Sequence, residues 1–242
     1  MPQALTIYSA WSRSVRVFHW INFLCVISLI FVGLIMLYKK ELGISGNEAK
    51  IAIKAVHVII GYIFATNLII RLVFALIGPP SARFNRFIPG KGFLQSLQSY
   101  RASLKAGKAQ QFIGHNPLGK LAVSALFLLL IILALSGMIR AGTDIYYPPF
   151  GSMISSYVAE EGVDPSTLIP YDKKGINKEK MASLKAFKSP AGAVHLYTAY
   201  LLMFLIIIHI SAVIFTEVKE GGSLISAMFN GKKILSEKPV DE

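Results

Sequence analysis

His195 and His209 lie fourteen residues apart in one apolar stretch, SPAGAVHLYTAYLLMFLIIIHISAVIFTEVK. In an α-helix that spacing is about 21 Å along the axis and about 40° around it, so both imidazoles point the same way. The separation is somewhat less than the hydrocarbon thickness of a bilayer, about 30 Å. One imidazole near each membrane face needs one partner at each depth, and two further apolar stretches supply them. His19 opens VFHWINFLCVISLIFVGLIMLY, and His57 lies near the start of IAIKAVHVIIGYIFATNLIIRLVFALIG. Four imidazoles in three membrane helices, at two depths, suit two haem irons by bis-imidazole ligation, paired His57 with His195 and His19 with His209. Such ligation leaves no vacant position on iron and lets it change oxidation state with little geometric change, which suits electron transfer.

Composition agrees with a membrane setting. Hydrophobic residues make up 54% and charged residues 16% of the 242, and mean hydropathy is +0.55, too apolar for an ordinary soluble domain. Four stretches are long enough to span, about residues 17–38, 51–78, 117–140 and 191–216. The expected fold is an all-α integral membrane four-helix bundle, one domain over residues 1–242, with each span satisfying its own backbone as lipid demands. The first apolar run follows a polar, basic start and is longer than a signal peptide, so it reads as an uncleaved signal anchor. The single cysteine, Cys25, excludes an internal disulfide, a CxxCH haem attachment and a thiolate-bound iron–sulfur cluster. It reads as a small packing residue.

Charge sets the orientation. With four spans, both termini share one side with the 79–116 connection, and that side carries fourteen Lys/Arg against five Asp/Glu, a net +9. The other side carries eleven against eight, a net +3, and the two account for the total of +12. The more basic side is expected in the cytoplasm, with the termini. The positive balance is therefore explained by topology and anionic headgroups and needs no nucleic acid. His57 and His195 then belong near the periplasmic face, His19 and His209 near the cytoplasmic one.

The connections carry their own signals. After Pro89-Gly90, Phe93, Leu97, Tyr100 and Leu104 recur at helical spacing beside Arg101 and Lys105, as in a helix lying on the membrane surface. SLISAMFNG, residues 223–231, could lie on the same surface with Leu224, Ile225, Met228 and Phe229 down. The segment 141–190 is the longest expected outside the membrane, and loops of that length are often functional. Its start, with Tyr146 and Tyr147, is expected to cap the bundle over the periplasmic haem.

Other residues have two readings each. Gly33 lies fourteen residues after His19 and Gly61 one turn after His57; either admits a porphyrin close to its helix or simply lets helices pack. Arg71, fourteen residues after His57, would pair with a haem propionate or reach for headgroups. Arg13 and Arg16 would do the same or form part of the basic inner rim. His115 and Asn116 precede Pro117, where Asn116 suits a helix N-cap and Pro117 a first helical position. Together with Lys120 they could instead bind a quinone, which needs hydrogen-bond donors at its carbonyls and a proton route.

RVFHW around His19, HVIIGYIFATNLIIR from His57 to Arg71, GHNPLGK before the third span, the His195–His209 spacing and the EGGSLISAMFNGKK tail resemble the bacterial cytochrome b561 superfamily. The resemblance is particularly to the di-haem b subunits of membrane-bound nickel–iron hydrogenase and formate dehydrogenase, and covers nearly all the chain except 141–190. It implies a multi-pass protein of the bacterial inner membrane with two b haems on the four histidines. It further implies electron transfer, as one subunit of a quinone-linked oxidoreductase, between a periplasmic partner and the menaquinone or ubiquinone pool, with Asn116 at the quinone. The partner would be a hydrogenase, a c-type cytochrome or another redox protein. A stand-alone quinol-oxidising cytochrome b561 is the variant within this class. A transporter using the histidines as a proton relay would show repeats or broken helices at midplane, and a non-haem metal oxygenase would show HxxxH spacings; the chain has neither pattern.

Overall fold

A computed structural model describes residues 5–220 and 223–242. The chain runs β1 (Thr6–Ser9), α1 (Arg13–Leu37), α2 (Asn47–Ile77), α3 (Phe93–Lys105), α4 (Pro117–Ile145), α5 (Gly151–Val158), α6 (Lys178–Glu220), α7 (Leu224–Asn230) and β2 (Lys232–Leu235). Four of these, α1, α2, α4 and α6, are long and apolar enough to cross a membrane. The fold is thus all-α, as expected, with four membrane-capable helices. Phe31, Leu128, Phe204 and Ile207 on those helices are 58–65% exposed, an outward apolar surface that only lipid accommodates at this density. Gly221 and Gly222 of the tail motif lie outside the described residues.

Helix ends follow local chemistry. At α4, the Asn116 Oδ1 accepts the Gly119 N–H at 2.7 Å, an N-cap ahead of Pro117. The helix continues to Ile145, just before the Pro148-Pro149 pair. α6 differs from expectation: it starts at Lys178 and runs through Pro190, so the irregular part of the 141–190 connection is shorter than expected. Pro190 lacks an N–H and costs the helix one internal hydrogen bond. The Lys188 ammonium nonetheless donates to the Thr143 carbonyl at 3.2 Å, holding this turn to α4.

Two compact units divide the chain. The first comprises the described parts of Met1–Asn22, Asn67–Leu128 and Leu202–Glu242. Here β1 pairs antiparallel with β2, Thr6 opposite Leu235 and Ser9 opposite Lys232. Ala10, Trp11 and Ala227 form a small core with Val15, Ile113 and Met228 against them. The Asp241 carboxylate accepts the N–H groups of Ile113 and Gly114 at 2.7 and 2.9 Å, and the Gln111 Oε1 accepts those of Ser236 and Glu237. The approach to α4 is thereby pinned by the C-terminal segment. In the apolar stripe of α3, Tyr100 is buried, its ring edge-on to Phe112 at 5.8 Å, while Phe93, Leu97 and Leu104 are half-buried. α7 splits its stripe, packing Met228 inward and exposing Ile225 and Phe229.

The second unit comprises Phe23–Thr66 and Leu129–Leu201. Its connection between α4 and α6 is an ordered cap with its own core of Ile154, Val158, Ala159, Leu168, Ile176 and Leu184, with Tyr146 packed alongside. A bridge between Ala159 and Ile176 closes it. Leu184, 4% exposed on α6, joins the cap to the helix. Leu184→Ala should cost about 2–5 kcal/mol of local stability. Limited proteolysis should then cleave between residues 146 and 177 faster than in the unsubstituted protein.

Candidate haem-binding site

His57 on α2 and His195 on α6 face each other in the second unit, ring centroids 6.3 Å apart and planes at 72°. A first-row metal ion binds imidazole nitrogen at about 2 Å, and the ring centre lies about 1 Å further on. Two imidazoles on opposite sides of one iron therefore have centroids about 6 Å apart, as here.

The His195 Nδ1 lies 3.0 Å from the Ser136 hydroxyl, which also lies 2.6 Å from the Ile132 carbonyl. With its proton on Nδ1, towards Ser136, His195 would present the Nε2 lone pair, the form a metal needs. His57 has its Nδ1 sealed from solvent with no protein partner.

Glycines admit both rings. A Cβ at Gly33 on α1 would lie 3.7 Å from the His57 Cε1, and one at Gly137 on α4 only 3.3 Å from the His195 Cε1. Gly33 thus lies beside the His57 ring. A Cβ at Gly61 would meet nothing within 4 Å.

The same unit holds a charge cluster that the sequence reading passed over. The Asp144 carboxylate, 7% exposed, binds Lys54 Nζ at 2.6 Å, Arg140 Nη2 at 2.6 Å and Lys188 Nζ at 3.1 Å. One acid thereby ties α2, α4 and α6 together. The Arg140–Asp144 spacing, four residues along one helix, was the available signal; Lys54 and Lys188 gave none. Above Lys54 lies the Tyr171 ring, 5.2 Å from the ammonium. Burial, and then the Asp144 charge, push the Tyr171 phenol up to about 12. The expected cap over this end includes a 2.5 Å hydrogen bond from the Tyr62 hydroxyl to the Pro148 carbonyl.

In the first unit His19 on α1 and His209 on α6 lie within electrostatic reach of each other. His19 also has a sealed Nδ1 without a protein partner, and its ring meets Trp20 edge-on at 5.3 Å. Trp20 is fixed by donating to the Met228 carbonyl at 3.0 Å. Arg71, 5% exposed, donates to the Ala82 carbonyl at 2.7 Å. Its guanidinium lies 5.7, 4.8 and 5.5 Å from the ring centres of Phe18, Phe87 and Phe127. Arg16 donates to the Phe229 carbonyl, and Arg13 is exposed at the start of α1.

His115, Asn116 and Lys120 come together at the head of α4. The amide of Asn116 is engaged at both ends, Oδ1 in the cap and Nδ2 donating to the Tyr100 hydroxyl at 2.7 Å. The His115 ring leans on Trp11 at 4.7 Å, and its Nδ1 is sealed without a partner. Burial first, then the Lys233 ammonium, lower its pKa from 6.5 to about 4, with a main-chain hydrogen bond to Arg86 opposing.

Among the described residues no group of three or more His, Cys, Asp or Glu side chains could hold a bare metal ion. Paired imidazoles, with ring nitrogens that lack protein partners, instead suit a metal arriving in a macrocycle that supplies its own equatorial nitrogens. Four membrane-capable helices carrying such pairs define a multi-pass membrane cytochrome. The chain matches the family prokaryotic cytochrome b561 over residues 10–231 and belongs to it. It is similar to the probable Ni/Fe-hydrogenase B-type cytochrome subunit of Rhizobium leguminosarum bv. viciae, 22% identical over 251 residues, 98% of this chain and 91% of that protein. It is also similar to the probable Ni/Fe-hydrogenase 1 B-type cytochrome subunit of Escherichia coli (strain K12), 26% identical over 133 residues, 51% of this chain and 55% of that one. It is therefore a b-type cytochrome of membrane electron transfer, with haem b as its cofactor.

A base whose pKa falls on folding stabilises the fold fully above its unfolded value and loses that contribution as pH falls towards the folded one. For His115 the window runs from 6.5 down to about 4. Imidazole NMR of the labelled protein should show His115 neutral through this range, and His115→Gln should reduce the acid loss of thermal stability across it.

Proposed function

We propose that the chain binds two b haems, one between His57 and His195 and one between His19 and His209, and carries electrons across the membrane between a periplasmic redox partner and the quinone pool. The observation carrying this reading is the 6.3 Å pair His57/His195, with the Ser136 hydroxyl 3.0 Å from the His195 Nδ1. Haem supplies the reversible one-electron change at iron. His57 and His195 would hold the iron between them, beside Gly33 and Gly137.

The positive-inside balance supports cytoplasmic termini, a periplasmic cap at 146–177, and His57/His195 on that side. The cap is then the docking face for the partner. The names of the relatives favour a nickel–iron hydrogenase there, with a c-type cytochrome or another redox protein fitting the same role. The quinone, menaquinone or ubiquinone, is placed at His115, Asn116 and Lys120. With its oxygen committed to the cap, Asn116 offers a quinone carbonyl its second amide hydrogen. His115, neutral at physiological pH, accepts or returns the proton. The same parts serve quinone reduction and quinol oxidation.

The purified protein should give two haems per chain by pyridine haemochrome, with low-spin bis-imidazole EPR signals. His57→Ala and His195→Ala should each remove the same haem, and His19→Ala and His209→Ala the other; full haem content in all four variants would overturn the ligand assignment. Asn116→Leu should keep both haem spectra and reduction by a soluble donor while slowing exchange with a quinone analogue roughly tenfold or more. That loss corresponds to the one or more kcal/mol typical of a removed buried hydrogen bond. Asn116→Ser, which caps as well, should keep the fold, so unchanged quinone exchange in Asn116→Leu would place the quinone elsewhere.

A further inference from the structure

We propose that Lys54, Arg140 and Lys188 are the anchors for the two propionates of the haem held by His57 and His195, and that Asp144 is the brace that positions them. This deepens the two-haem reading and rests on it. The first argument is charge. Three cations converge on one carboxylate, leaving a surplus of two positive charges at a site where Asp144 is 7% exposed and the cations 22–34%. Among the described residues, the ion pairs of these three side chains all run to Asp144. A single cation would have neutralised Asp144, and each further one adds desolvation cost unless an anion answers it. Haem b carries two carboxylates at one edge of the macrocycle, equal and opposite to that surplus.

The second argument is position. Lys54 lies three residues before His57 on α2, one helical turn away, and within electrostatic reach of it. Arg140 lies three residues after Gly137, the glycine on which His195 rests, and acts electrostatically on His195. Lys188 lies seven residues before His195, two turns along α6 and on the same side. All three helices that frame the imidazole pair thus send a cation to one end of it.

The third argument is donor capacity. Asp144 takes one hydrogen bond from Lys54 and one from Lys188, and an ion pair from Arg140 Nη2. An ammonium has three donors and a guanidinium five, so several remain for carboxylate oxygens. The Arg140 Nη1 is lodged where a Cβ at position 192 would sit. Gly192 therefore keeps the guanidinium beside α6, one turn before His195.

The test uses the purified holoprotein carrying haem labelled with carbon-13 at the propionate carboxyls, read by redox-difference infrared spectroscopy, potentiometry and haem count. In Arg140→Gln/Lys188→Gln, two haems should remain, the label-sensitive carboxylate bands should shift, and the midpoint potential of one haem should fall. Asp144→Asn should move the same haem's potential the other way, and Lys173→Gln, an exposed lysine, should move neither. If the double variant loses haem, Arg140→Lys and Lys188→Arg conserve charge and should still shift the labelled bands. Labelled bands that stay put in haem-replete variants overturn the anchor assignment, whatever the potentials do. A single haem in the unsubstituted protein that His57→Ala does not remove overturns the two-haem reading, and the anchors with it.

Discussion

An imidazole inside a membrane has two ring nitrogens to satisfy and no water to do it. His195 meets one half of that demand through the Ser136 hydroxyl, 3.0 Å from its Nδ1. His57 and His19 go further and leave a buried ring nitrogen without a protein partner. The surrounding helices are shaped to that requirement. α4 carries no membrane histidine, yet it supplies both Ser136 and Gly137, and α1 supplies Gly33. The imidazole pair is thus framed by four helices, two giving the rings and two giving the glycines and the serine hydroxyl beside them.

Cations in the same helices are handled in two ways. Arg71 has the Ala82 carbonyl and three phenylalanine faces around it, an arrangement in which aromatic quadrupoles replace part of the lost hydration. Lys54, Arg140 and Lys188 instead share one carboxylate. The first arrangement sets a single positive charge among three aromatic rings and one carbonyl. The second leaves positive charge in excess beside an imidazole pair, where it acts on whatever charge that pair comes to hold. Cationic surroundings favour the reduced form of a nearby redox centre, so the two arrangements differ in what they do to electrons.

Periodicity and hydropathy sufficed for the four membrane helices, because lipid allows only self-satisfied backbone and that leaves long apolar runs. That four of the histidines fall on three of these helices was legible from the same runs. The N-cap at Asn116 was legible from local chemistry alone. What lay beyond reach was whatever joins remote positions. Lys54 is ninety residues from Asp144, and Phe18, Phe87 and Phe127 come from three separate segments to enclose Arg71. In the sequence Arg71 shows only its charge and its place on α2. The extension of α6 back through Pro190 was hidden by the rule that proline ends helices, and the stripe on α3 could not say whether protein or lipid would cover it.

The termini carry a further consequence. β1 and β2 are four residues each, too short to be stable as an isolated pair, and they persist because the chain around them is already fixed. Ala10 and Trp11 donate to the Gly231 carbonyl, Trp20 to Met228, and Lys233 donates to the carbonyls of Phe112 and Gly114 at 3.1 and 2.8 Å. Those carbonyls flank the segment that presents His115, and the same Lys233 ammonium is the largest charge acting to keep that imidazole neutral. The last residues of the chain therefore do more than close the fold. Through Lys233 and Asp241 they hold the segment that presents His115, and Lys233 adds to burial in keeping that imidazole neutral.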